Sequence, residues 1–121
     1  MDPDTFADIF ASDLALEIKS EFMELRGVGA DVPTCTTHVI SRYRNLLSDP
    51  NDGPVIFLIL AALQLREGHL QPTFRDAAVD LIESGEALRA YQAVEPNLRA
   101  DRKSLLGAFL ASLSEADVVD D

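Results

Sequence analysis

The 121-residue sequence has no Trp, a single Cys, and only ten Lys and Arg against 21 Asp and Glu. One cysteine cannot close an internal disulfide, so the fold cannot depend on one. The opening Met1-Asp-Pro-Asp-Thr-Phe is acidic where a secretory signal is basic and then apolar. A reducing cytoplasm is the expected compartment. The longest unbroken apolar run, Val55 to Leu63, spans nine residues, about half of the roughly 18 that a membrane-spanning helix needs. The deficit of cations leaves a formal charge of −11 and a pI near 4.4. At that charge, phosphate backbones and anionic membrane surfaces are repelled at long range. Neither nucleic acid nor a membrane is therefore an expected partner. Acidity also serves plain solubility, so charge by itself names no partner.

The common catalytic signatures are missing as well. There is no Gly-x-Ser-x-Gly and no His-Glu-x-x-His, the spacings that expose a hydrolase nucleophile or hold a protease zinc. Gly27-Val-Gly is a fragment of a phosphate loop with no Gly-Lys-Ser or Gly-Lys-Thr behind it. Asp49-Pro-Asn-Asp-Gly resembles the start of a calcium loop, but its glycine comes one position early. The twelfth position is Leu60 where a bidentate Glu belongs. It reads instead as a turn between helices, with Asn51 or Asp52 as a cap. Asp31, Cys35 and His38 stand at spacings of four and three, which places them on one helix face. Cys35 also falls on the apolar side with Val39, the usual place of a small buried thiol. One Cys and two His are too few for a closed zinc site without carboxylates. The sequence therefore assigns no catalytic residue, no metal and no cofactor.

Hydrophobic residues make up 47% of the chain, enough for a packed core, and a chain of this length buries roughly two thirds of the surface its unfolded form exposes. The pattern is helical. From Asp13 to Arg26, Leu14, Ile18, Phe22 and Leu25 recur at helical spacing, with Ser12 as the cap and Gly27 as the stop. Asp31 and Pro33 start a second helix reaching Leu47, its inner face carrying Cys35, Val39, Tyr43, Leu46 and Leu47. Pro54 opens a third that ends near Glu67, before Gly68. Its stretch from Val55 to Leu63 is apolar all round, which suits an element packed on several sides. So short a β-branched run also fits a buried strand, although no other segment offers it a sheet. A fourth helix from Pro72 to Gly85 buries Phe74, Ala77, Ala78, Leu81 and Ile82, and Glu86 to Gln92 adds a short piece with Leu88 and Tyr91. Pro96 to Leu113 forms the last helix, on Leu98, Leu105, Phe109 and Leu113. The expected architecture is one all-α domain over residues 1–121, a bundle of about five helices around a buried central helix at residues 54–67. Short acidic tails are expected at 1–7 and at 114–121, the latter mobile.

The third and fourth helices, joined at Gly68-His-Leu-Gln, have the order of a helix-turn-helix. Arg75 is the only cation on the fourth, where Asp76, Asp80 and Glu83 oppose phosphate contact. A second pattern is more informative. Asp13, Glu17, Glu21 and Glu24 follow one another at spacings of four, four and three in the first helix, and Asp76, Asp80 and Glu83 at four and three in the fourth. Like charges at such spacings cost a helix about 0.2–0.5 kcal/mol per pair. Each stripe is either a solvated face opposite the core or an anionic surface that meets a basic partner.

In their order, Asp8-Ile-Phe-Ala-Ser-Asp-Leu-Ala-Leu, Asp49-Pro-Asn-Asp-Gly-Pro-Val, Leu60-Ala-Ala-Leu-Gln-Leu-Arg-Glu-Gly-His-Leu and Leu81-Ile-Glu-Ser-Gly resemble a bacterial family catalogued as domain of unknown function 4259. The likeness covers most of residues 8–105. Members of that family often carry a Trp-Gly pair before the Ile-Phe and a Trp in the central helix, both missing here. The resemblance implies a small helical domain and brings no established activity, so it carries no site residue to this chain.

Three functions remain open on the sequence. A non-enzymatic acidic binding protein, such as the immunity protein or inhibitor of a basic bacterial toxin, would use Asp13, Glu17, Glu21, Glu24, Asp76, Asp80 and Glu83. An enzyme or small-ligand protein would gather scattered side chains, such as His38, His69, Arg66 and Asp52, between its helices. An assembly component would leave a large apolar face uncovered.

Overall fold

The computed structural model describes residues 12–94 and 102–119, and seven helices lie within them. No strand occurs among the described residues, so the apolar run from Val55 is helical and the class is all-α. The first helix, α1 (Asp13–Gly27), is capped by Ser12, whose hydroxyl accepts the Ala15 N–H at 3.0 Å. Ala15, Ile18 and Phe22 are buried along one side, while Leu14 and Leu25 pack at the edge of the core. Gly27 is still helical. The left-handed residue is Gly29, at φ +98°, so the chain turns two residues later than the expected stop.

The expected second helix divides in two. Its first part, α2 (Val32–Arg42), is capped by Asp31, which accepts the Thr34 N–H at 2.8 Å. At Tyr43 the backbone leaves helical geometry, at φ −101° and ψ 20°, and the single turn α3 (Arg44–Leu47) follows. The break lets α3 lie against the start of the central helix. That helix, α4 (Asp52–Arg66), begins two residues before Pro54. Its cap is not Asn51 or Asp52: Asp49 Oδ1 accepts the N–H groups of both, at 2.8 and 2.9 Å. Val55, Ile56 and every residue from Leu58 to Gln64 are buried, with α1, α3, α5 and α6 packed around them. A helix that is apolar all round is stable in water only with neighbours on each side.

Gly68, at φ +71°, turns the chain out of α4. Pro72 sits in the first turn of α5 (Pro72–Glu83), where Phe74 and Ala78 are buried and Ala77, Leu81 and Ile82 only half-buried. The Phe74 ring lies 6.2 Å from that of Phe57. The short piece after Gly85 is a helix of its own, α6 (Glu86–Val94), which buries Ala87, Ala90 and Tyr91 and leaves Leu88 half-exposed. The last helix, α7 (Arg102–Glu115), buries Leu105, Leu106, Phe109 and Leu113 against α5 and α6. Leu98, the start expected at Pro96 and the tail at 1–7 lie outside the described residues. The tail expected from residue 114 is anchored as far as it is described. Glu115 ends α7, Val118 forms an isolated parallel bridge with Leu70, and the Val119 N–H donates to the Leu70 carbonyl at 2.9 Å. Half-buried Val118 packs on the core and gives the tail an apolar hold.

Candidate partner-binding faces

The side of α1 opposite Ala15, Ile18 and Phe22 carries the first acidic stripe. Asp13, Glu17 and Glu24 are exposed there and Glu21 is half-buried. The stripe is partly neutralised from the next helix. Arg42 Nε forms an ion pair with Glu21 Oε1 at 2.6 Å, and Arg42 Nη2 stands 3.8 Å from Glu17 Oε1. Beneath the guanidinium lies Tyr43, its ring centroid 5.8 Å from Arg42 Cζ. Burial pushes the Tyr43 phenol above its ordinary range; its contact with Arg42 opposes the shift, while its contact with Glu17 and the charges of Glu21 and Glu17 add to it. Tyr43 is therefore neutral at physiological pH.

Asp76, Asp80 and Glu83 are all exposed on α5. Arg75, the one cation of that helix, sends Nε and Nη2 to Asp76 Oδ1 at 3.1 Å each. Among the described residues, Asp80 and Glu83 have no ion-pair partner. Both α1 and α5 pack on α4 and make no substantial contact with each other. The stripes are thus two patches on different helices.

Cys35 does not converge with Asp31 and His38. The Asp31 carboxylate is taken up by the start of α2, and the Thr34 hydrogen bonds hold its pKa below the usual range. The Cys35 thiol is buried and faces the Ala30 carbonyl at 3.9 Å, and desolvation raises its pKa. His38 points the other way. It lines an open depression of about 530 Å³ with Asp31, Thr34, Thr37 and Ser41.

The scattered set is not assembled either. Asp52 starts α4 and Arg66 ends it, a separation of roughly 20 Å at 1.5 Å per residue. His69 lies beyond that far end and His38 faces outward from α2. Among the described residues no group of three or more His, Cys, Asp or Glu side chains could hold a metal ion. Nor is any described helix long and apolar enough to cross a membrane.

Two features had no signal in the sequence. Arg26 Nε pairs with Glu67 Oε1 at 3.1 Å and Arg26 Nη1 donates to the Ala30 carbonyl at 3.1 Å, joining the ends of α1 and α4. A cleft of about 390 Å³ opens between the end of α5, α6 and α7, floored by Ile82, Leu88, Leu106 and Gly107 and edged by Glu83 and Lys103. Both bring together residues more than 20 positions apart, beyond the reach of helical spacing. No family model, no curated protein and no solved structure matches the chain.

Proposed function

We propose that this protein is a non-enzymatic binding domain whose acidic faces engage a basic protein, in the manner of an inhibitor or immunity protein of a basic bacterial toxin. The observation that carries the reading is the exposure of Asp13, Glu17, Glu24, Asp76, Asp80 and Glu83 on helices whose opposite sides are buried. With a formal charge of −11, such faces speed the encounter with a cationic surface and disfavour anionic competitors. The ordered motifs of the sequence support placing the chain with the bacterial family catalogued as domain of unknown function 4259, which is likewise a proposal. A second reading, a small-ligand protein, is favoured by the apolar floor of the cleft between α5 and α7.

The test is capture. The immobilised protein is loaded with lysate of the source organism at low salt and eluted with rising salt. A basic protein released in the gradient, and not retained when Glu17, Glu24, Asp76 and Asp80 are changed to Gln or Asn, supports the reading. Retention that ignores those changes overturns it and sends the search to the cleft.

A further inference from the structure

Glu17 and Glu21 stand one helical turn apart on α1, so their charges repel unless a cation lies between them. Arg42 supplies one, but its grip is incomplete. The shortest contact to Glu21 is Nε to Oε1 at 2.6 Å, Glu21 Oε2 accepts no hydrogen bond, and the contact to Glu17 is 3.8 Å. The paired, two-bond grip that a guanidinium makes with a carboxylate is not formed. Two carboxylates and one guanidinium also leave one net negative charge at this point.

The inner wall of the cluster has hydrogen-bonding capacity to spare. Glu21 Oε2 is buried and accepts no hydrogen bond. Tyr43 is 8% exposed, and its hydroxyl, beside Glu17 and Arg42, makes no well-directed hydrogen bond. Buried polar groups are normally satisfied, so an acceptor with no donor, beside a hydroxyl whose contacts to Glu17 and Arg42 are poorly directed, marks a position for a further donor. The outer wall is different: the side chains of Arg42 and Glu17 are 54% and 55% exposed. The internal cation can swing into solvent, while Tyr43 is held in the core.

Resting on the reading of the protein as a binder of basic partners, we propose that Glu17, Glu21 and Tyr43 form an arginine site. Arg42 is its internal occupant, displaced when a surface arginine of the partner enters. Two carboxylates, a phenol and an aromatic face match a planar guanidinium, which forks onto carboxylate oxygens and stacks on rings. Once Arg42 has swung out, an arginine entering from solvent approaches the Glu21 carboxylate free of the backbone tether that holds Arg42 beside Tyr43.

The experiment is calorimetric titration of the full chain with a tetra-arginine peptide at about 150 mM salt, where diffuse attraction is screened. Arg42→Ala removes the competitor and should tighten binding about two- to fivefold more than Arg44→Ala, which changes the net charge equally from a neighbouring exposed position. Tyr43→Phe, which changes no charge, should weaken binding about two- to fivefold, and a tetra-lysine peptide should bind less well than tetra-arginine. Circular dichroism checks that each variant is folded. Should Tyr43→Phe not fold, Glu17→Gln, at an exposed position, is read in its place. Equal effects of Arg42→Ala and Arg44→Ala, or equal binding of the two peptides, overturn the site and leave α1 a diffuse acidic face still able to retain a basic protein. Specific peptide binding alongside capture indifferent to the stripes would instead remove the proposed function and keep the site.

Discussion

Gln64 and Gln71 hold each other by a reciprocal pair of hydrogen bonds. Gln64 Nε2 donates to Gln71 Oε1 at 2.7 Å, and the Gln71 backbone N–H donates to Gln64 Oε1 at 3.0 Å. The other hydrogen of the same amide goes to Thr36 Oγ1 at 3.0 Å, and the Thr36 hydroxyl donates to the Val32 carbonyl at 2.9 Å. Gln64 is fully buried, and its side chain ties the last turn of α4 to α2 and to the start of α5. A buried amide with every donor and acceptor engaged specifies one arrangement of three helices, because any other leaves it unpaired.

Replacing Gln64 by Leu should cost about 2–3 kcal/mol, since it strands partners on two other elements. Thr36→Val should cost about 1 kcal/mol. Because the two side chains share one bond, the double variant should depart from additivity by at least about 0.5 kcal/mol. Urea unfolding of the four proteins checks this, and strict additivity would mean that the contacts act separately.

Two glycines should respond in opposite ways to the same methyl group. Gly53 is buried in the first turn of α4, where an added Cβ would run into the carbonyl of Leu47. Backbone cannot rotate aside as a side chain can, so Gly53→Ala should destabilise by about 1–3 kcal/mol. Gly107 lies on the exposed side of α7 with nothing within 4 Å of its would-be Cβ. Gly107→Ala should stabilise by about 0.5–1 kcal/mol through helix propensity. Thermal melts of both variants read the contrast directly.

The Asp49 carboxylate accepts the N–H groups of Asp52 and Asn51, which hold its pKa below the ordinary value of 3.8. A depressed folded-state pKa means stabilisation that is complete above the unfolded value and lost as pH falls through the folded one. The stability gap between the wild type and Asp49→Ala should therefore be constant near neutrality and shrink below about pH 4. Urea midpoints at pH 7 and pH 3 decide it. A gap that persists unchanged at pH 3 would show that capping does not depend on the charge.

Cys35 combines burial with a thiol pKa raised by desolvation. A thiol in that state is neither accessible nor ionised at neutral pH. Its reaction with a disulfide reagent at pH 8 should be limited by opening of the fold and become fast in urea. Rapid stoichiometric labelling of the native protein would contradict the packing of α2 against α1.

The helical class, the buried character of α4 and the cap roles of Ser12 and Asp31 could be read from neighbours in sequence. Each depends on interactions within about four residues, where spacing is geometry. The stripes on α1 and α5 were equally readable as stripes. Their chemical setting was not, because Arg42 and Tyr43 reach Glu17 and Glu21 across two helices. Residues three and four apart share a broad helix face, as Asp31, Cys35 and His38 do, and packing divides that face: Cys35 goes to the core, as its place beside Val39 implied, and His38 to solvent.

What the sequence determined by itself is the set of segments that must be helical and the surface that must be acidic, since periodicity and charge count are local properties. Only the tertiary structure decided where α2 breaks at Tyr43, how the 114–119 segment is pinned to Leu70, and which carboxylates keep an unmet charge. Those outcomes depend on atoms that become neighbours only when the chain folds around α4, where burial and hydrogen-bond satisfaction choose among arrangements that local propensity leaves equal.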